Sequence, residues 1–205
     1  MRTITVEYNL YEYDELSDKA KDKVKDTITH WREPEHYREF VINDLKHLFP
    51  NSDLDVQFSL SYCQGDGLNI YGELDADDIL YNIDLKFENG LLEKYKDYLD
   101  ENMTNDISRY ANDCGKIILP ENTRYCYCIA DMCYVGSDWA YELEDNEEEN
   151  INSMALFKLE RLVQNVFSDI CKHYEKLGYE WFYEISDEEC RDYGYEYYED
   201  GSIYS

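Results

Sequence analysis

Asp66, followed by Asp84-x-Lys86, has the Asp…(Asp/Glu)-x-Lys order with which many metal-dependent nucleases place two carboxylates and a lysine around Mg²⁺. Such an enzyme must also hold a phosphate backbone in a basic groove. A chain with 19 Lys+Arg against 47 Asp+Glu, a formal net charge of −28, is poorly supplied to build one. Cys126-x-Cys128 would place two thiols on one face of a strand, with Cys133 further along. Cys171-x-His173, His30, His36 and His47 could then complete a tetrahedral zinc site. The sequence holds no CxxC pair and no HExxH, so apolar cysteine buried on a core strand is the better expectation. Asp53 with Asp55, or Asp75 with Asp77 and Asp78, are oxygen-rich groups of the kind that hold Mg²⁺ or Ca²⁺, but neither follows the EF-hand loop. Zinc and magnesium stand as candidate cofactors that no motif demands. Cys171 and His173, two apart on a helix, project in different directions and form no nucleophile/base couple. With no GxSxG, P-loop or GxGxxG either, nothing in the residues asks for an enzyme.

The acids themselves are the largest departure from ordinary composition. Glu142, Glu144, Asp145, Glu147, Glu148 and Glu149 crowd one polar stretch, and Glu180, Glu184, Asp187, Glu188 and Asp192 form a second row. Carboxylates three or four residues apart on a helix sit roughly 5 to 6 Å from one another. A duplex presents one phosphate charge per roughly 1.7 Å of axis, so a folded acidic face can imitate phosphates to a basic cleft. The ordinary alternative is a solvated face that keeps the protein dispersed. Self-repulsion at −28 is a cost to the compact state that solubility alone does not require. The same field opposes direct binding to nucleic acid or to an anionic membrane.

Residues with such roles must be positioned by a fold, and the periodicities give one. Thr3 to Tyr13 alternates, with Ile4, Val6, Tyr8 and Leu10 on one face, as a half-buried strand does. Ser17 then reads as the N-cap of a helix over Asp18 to Trp31, and Pro34 breaks it. Glu35 to Phe49 repeats the helical spacing through Phe40, Val41, Leu45 and Leu48. Leu54, Val56, Phe58, Leu60 and Tyr62 alternate again, and Gln64-Gly65-Asp66-Gly67 before Leu68 and Ile70 marks a β-hairpin, with Gln64 and Asp66 as candidate loop residues at its tip. Further on, the sequence predicts a short helix at Asp77 to Tyr81, helices at Leu91 to Leu99 and Met103 to Ala111 with a stop at Cys114-Gly115, and strands at Ile117 to Leu119 and Tyr125 to Val135. Ile151 to Leu177 has the strongest amphipathic pattern, through Leu159, Leu162, Val163, Val166, Phe167, Ile170 and Tyr174. The expected architecture is one α+β domain over 1–205, a largely antiparallel sheet covered on one face by helices, including this long C-terminal one. An acidic, Tyr-rich segment at 178–205 ends the chain, with a turn at Asp200-Gly201.

Tyr11 to Lys23 followed by Trp31, together with Phe58-Ser-Leu-Ser-Tyr-Cys-Gln-Gly-Asp-Gly67, resembles a widespread group of small phage and prophage proteins. They share an aromatic-x-(Tyr/Phe)-Asp-Glu-Leu-Ser-x-x-Ala-Lys start and a Phe-Ser-x-x-x-Gln-Gly-Asp-Gly hairpin. The resemblance covers about the first third of the chain, and Leu68 departs from the small residue that often follows the last glycine. It implies a mobile-element setting, in which small acidic proteins are often inhibitors of host defence such as anti-CRISPRs. The expected partner is thus a basic nucleic-acid-binding host protein such as a Cas effector, met in the host cytoplasm. The alternative is a metal-binding accessory protein or Mg-dependent nuclease-like hydrolase. Seven cysteines, an odd number, behind a polar N-terminus with no apolar leader read as reduced cytosolic thiols.

Overall fold

Alternation in the middle of the sequence becomes a sheet. A computed structural model describes residues 2–4, 6–82, 105, 108, 116–135 and 153–204. The chain divides into two compact units, Met1–His36 with Gly178–Ser205, and Tyr37–Leu177.

In the second unit β1 (Asp53–Ser59) and β2 (Gly67–Asp75) form an antiparallel hairpin in register from Asp53↔Glu73 to Ser59↔Gly67. β3 (Lys116–Leu119) and β4 (Tyr134–Val135) extend it in the order β1-β2-β3-β4, every pairing antiparallel. Leu54, Val56, Leu68, Ile70, Leu74, Ile117 and Leu119 are buried, because side chains two apart on a strand share a face. The partner layer comes from α2 (Pro34–Leu48) and α4 (Ser153–Tyr183), with α3 (Ala76–Asn82) following β2. Leu159, Leu162, Val163, Val166, Phe167, Ile170 and Tyr174 of α4 are almost wholly removed from water, at the spacing that keeps one helical face inward. Phe167 packs on Phe49 with ring centres 5.3 Å apart, and the Tyr37 hydroxyl donates to the Tyr174 carbonyl. The α+β architecture and its long C-terminal helix are those the periodicity predicts. Gly72 is required where it stands: its φ is +125°, and a Cβ would lie 2.2 Å from the Asp53 carbonyl oxygen.

The first unit is built on α1 (Asp18–Thr29) and α5 (Asp187–Asp192). Ser17 caps α1, its hydroxyl accepting from the Ala20 amide, and Ser186 caps α5 in a reciprocal box with Glu189. Tyr13, Leu16, Ala20, Val24, Ile28, Cys190 and Tyr197 make its core. The C-terminal chain turns at Asp200-Gly201, as expected, with the Gly201 amide donating to Tyr198 and the Tyr198 amide to Ser202.

Several expectations fail locally. No strand forms over residues 2–4 and 6–10: Ile4, Val6 and Tyr8 are exposed, and Tyr11 makes only an isolated bridge to Tyr197. Alternation supplies a face, but a strand also needs a neighbouring backbone. Tyr125 to Val135 is likewise not one strand. It is a loop, a 3-10 turn at Ala130–Met132 and the two residues of β4, because side chains satisfy its backbone instead. Pro34 starts α2 rather than only ending α1, since proline's missing amide costs nothing at the first helical position. Within α2 it is Tyr37 that is buried and Phe40 that is exposed. The Leu91 to Leu99 helix, Met103, Ala111 and the Cys114-Gly115 stop lie outside the described residues; Asn105 and Ser108 are helical. Among the described residues no helix is long and apolar enough to cross a membrane.

Candidate functional site

The first unit holds a groove of about 700 Å³ between α1 and the segment that runs from the end of α4 into α5. α1 contributes Asp22 and Asp26, one helical turn apart, and the opposite wall contributes Glu180 and Glu184, also one turn apart through the Glu184 amide to Glu180 carbonyl bond. Glu189 joins them, while Lys25 is the basic residue of the lining and Tyr183 and Ile185 supply its apolar part. The two carboxylate rows arise because α1 directs Ala20, Val24 and Ile28 inward, which leaves positions 22 and 26 on another face.

Basic side chains fix this frame. The Arg32 guanidinium is largely buried. It donates to the carbonyls of Trp181 and Glu184 and to the Glu189 carboxylate at 2.7 Å, and it lies 5.5 Å from the centre of the Trp181 ring. No motif marks Arg32 in the sequence; its one signal there is a cation in a chain with 19 Lys+Arg against 47 Asp+Glu. Lys25 reaches Asp187 at 2.5 Å, and the Tyr13 hydroxyl donates to the same carboxylate at 2.9 Å. The Lys25 and Tyr13 bonds hold Asp187 below the usual carboxylate range. Burial, followed by the Asp187 bond, pushes the Tyr13 phenol up. Of the predicted acidic row, Asp187 is a structural hub through its bonds to Lys25 and Tyr13 although it is exposed, as Glu184, Glu188 and Asp192 are. Glu142, Glu144, Asp145, Glu147, Glu148 and Glu149 lie outside the described residues.

At the β1–β2 hairpin, Asp66 is turned back on its own loop. It accepts from the Ser59 hydroxyl at 2.7 Å, from the amides of Ser61 and Cys63 at 2.6 and 2.8 Å, and from the Cys63 thiol at 3.0 Å. The Ser59 and Cys63 bonds hold its carboxyl well below the usual range. Gln64 is exposed beside it. Gly65 and Gly67 carry positive φ, and the loop after β3 packs directly on them: a Cβ at Gly65 would meet the Tyr125 ring, and one at Gly67 the Tyr127 backbone. That loop is pinned by Gln57, whose amide donates to the Asn122 and Tyr125 carbonyls, and by buried Asn69, which donates to Pro120 and accepts from the Ile129 amide. Asp84 and Lys86, the other members of the nuclease-like order, lie outside the described residues.

Of the remaining oxygen-rich groups Asp53 is exposed, and three other carboxylates are engaged by the protein. Asp55 pairs with Arg38 and accepts from Tyr71, Asp78 accepts from Asn51 and Ser52, and Asp75 accepts from the Asp77 amide. Burial, then the neighbouring Asp75, raises the Asp77 carboxyl. Among the described residues no three His, Cys, Asp or Glu side chains are grouped to hold a metal ion. The six described cysteines are free thiols. Comparison with protein-family models, curated proteins and solved structures gives no match.

Proposed function

We propose that the protein binds, in competition with nucleic acid, to a basic nucleic-acid-binding partner, and that it acts as a mobile-element-encoded inhibitor of a host-defence nucleoprotein, with a CRISPR-Cas effector nuclease as the expected target. The observation that carries the reading is the groove of the first unit, where Asp22 and Asp26 face Glu180 and Glu184 as two rows of carboxylates at one-turn spacing. A Lys/Arg-lined channel that accepts a phosphate backbone is complementary to such rows, and the net charge of −28 would steer the encounter at long range. The target is named from the resemblance at Tyr11 to Lys23 and Phe58 to Gly67.

The test is a pull-down of the host's effectors by the tagged protein at two salt concentrations, followed by competition with the effector's DNA. Binding should weaken steeply with salt, because exposed charge is screened over about 8 Å at physiological ionic strength. Asp22→Lys with Glu184→Lys should slow association and restore nuclease activity. Asp187 is left intact, since reversing it would break the Tyr13 and Lys25 contacts that hold the unit together. Capture that ignores both salt and these reversals refutes mimicry, and inhibition abolished by chelator would favour the metal-dependent alternative.

A further inference from the structure

In the first unit α5 ends at Tyr193, and Gly194, at a φ of +63°, turns the chain there. The Tyr193 and Tyr195 rings on either side of the turn lie almost parallel, 8° apart with centres separated by 5.7 Å. Trp31, just past the end of α1, stands edge-on to Tyr195 at 89° and 5.9 Å. All three rings are 38 to 49 % exposed, although the core of the same unit buries Tyr13 and Tyr197 completely enough to show that it can take tyrosine inward. Asp192 and Glu196, which flank the tyrosine pair in sequence, are exposed, and among the described residues no cation pairs with either. Tyr195 and Glu196 also line a cavity of about 370 Å³ whose other walls include Glu12, Asp14 and Arg191, three carboxylates against one guanidinium.

The unit's own arginines show what such surroundings hold. Arg32 lies 5.5 Å from the centre of the Trp181 ring and donates to the Glu189 carboxylate. Arg191 lies 6.0 Å from the centre of the Tyr13 ring, and its Nε donates to both oxygens of Asp14 at 2.8 and 2.9 Å. Twice, then, a guanidinium is held by a ring and a carboxylate together. Trp31, Tyr193 and Tyr195, with Asp192 and Glu196 beside them, offer the same two components, and among the described residues no cation lies over these three rings. We propose that this exposed aromatic face binds an arginine side chain of the basic partner, as a contact separate from the carboxylate groove. The proposal rests on the functional reading above, which supplies the partner. Charge selects the occupant. A nucleobase would also stack on the rings, but its phosphates would meet Asp192, Glu196 and a chain of net charge −28. A second copy would bring the same acids. Lysine matches the charge, yet its compact, strongly hydrated ammonium gains less from an aromatic face than the planar guanidinium does.

The test titrates the full chain, by calorimetry at low salt, with two basic peptides of equal length and charge that carry arginine or lysine at the same positions. The arginine peptide should bind about two- to fivefold more tightly. Tyr195→Leu keeps apolar bulk but removes the ring, and should bring the ratio of the two affinities to about one while leaving the lysine peptide unaffected. Tyr195→Phe, which keeps the ring, should keep the preference. Tyr193→Leu and Trp31→Leu, at the more exposed rings, make the same comparison should Tyr195→Leu fold poorly. Asp22→Lys with Glu184→Lys should weaken both peptides alike and leave their ratio intact. If those reversals do nothing while the arginine preference stands, the groove reading fails and the aromatic contact survives. No binding of the arginine peptide, equal affinities for the wild-type chain, or a preference that outlasts the loss of each ring overturns the proposal and leaves the groove reading standing on its own test. Binding of a single-stranded oligonucleotide that Tyr193→Leu abolishes would also overturn it, by assigning the rings to bases.

Discussion

Single residues carry much of what this fold requires, and Asp66 is the clearest case. Its carboxyl is lowered in the folded protein by the Ser59 and Cys63 bonds, so the stabilisation is present above the ordinary carboxyl value of 3.8 and is lost as pH falls through the lower native one. Asp200, lowered by Lys23 and then by Ser202, behaves the same way. Thermal midpoints measured from pH 7 down to about 2 should therefore fall in acid, and Asp66→Asn should flatten that limb while lowering the midpoint at neutral pH. An unchanged acid limb would mean that the loop bonds contribute nothing. Gly72→Ala should cost roughly 1 to 3 kcal/mol in chemical denaturation, since the new Cβ meets Asp53 backbone and φ stays positive. The Gln64-Gly65-Asp66-Gly67 pattern makes Asp66 a candidate loop residue at an exposed hairpin tip. Turn chemistry placed it correctly in the loop, but the direction of its carboxylate depends on Ser59, Ser61 and Cys63 closing around it, and spacing does not encode that.

At the scale of elements, legibility followed how local the deciding force was. The β1–β2 hairpin and α4 were read because alternation and a 3.6-residue period each define a face within one segment, and a large apolar layer was available to bury it. The same alternation misled at Thr3 to Tyr13, where no strand edge pairs with residues 6–10 and Tyr11 meets Tyr197, far along the chain. Tyr125 to Val135 failed for a related reason: Asn69 and Gln57, distant in sequence, satisfy its backbone and bend it into a loop. Half of the groove was legible in the row containing Glu180 and Glu184. Its other wall, Asp22 and Asp26, becomes a wall only once Arg32 gathers Trp181, Glu184 and Glu189. Phe167→Ala should destabilise by roughly 3 to 5 kcal/mol, because Phe167 is fully buried against Phe49. Phe157→Ala, at an exposed position of the same helix, should stay within about 0.5 kcal/mol. Equal losses at the two sites would show that α4 is not packed on the face described.

Across the whole molecule, charge acts on folding and on binding with opposite sign. The ion pairs Lys23–Asp200, Lys25–Asp187, Arg38–Asp55, Lys116–Glu73 and Arg191–Asp14 are partly or largely solvent-exposed, unlike Arg32–Glu189 with its buried guanidinium, and exposed pairs contribute about 0 to 1 kcal/mol each. Against them stands the mutual repulsion of a −28 chain, which salt also screens. If repulsion is the larger effect, raising NaCl from about 10 mM, where the screening length is about 30 Å, to about 1 M, where it is about 3 Å, should raise the thermal midpoint. The same titration should weaken capture of a basic partner. A protein stabilised by salt while it releases its partner is using the repulsion that destabilises it as the source of its attraction, and carboxylates that served solubility alone would give only the first effect. A midpoint that falls with salt would instead show that the ion pairs outweigh the repulsion, and the excess of acids would then carry no folding cost for function to explain.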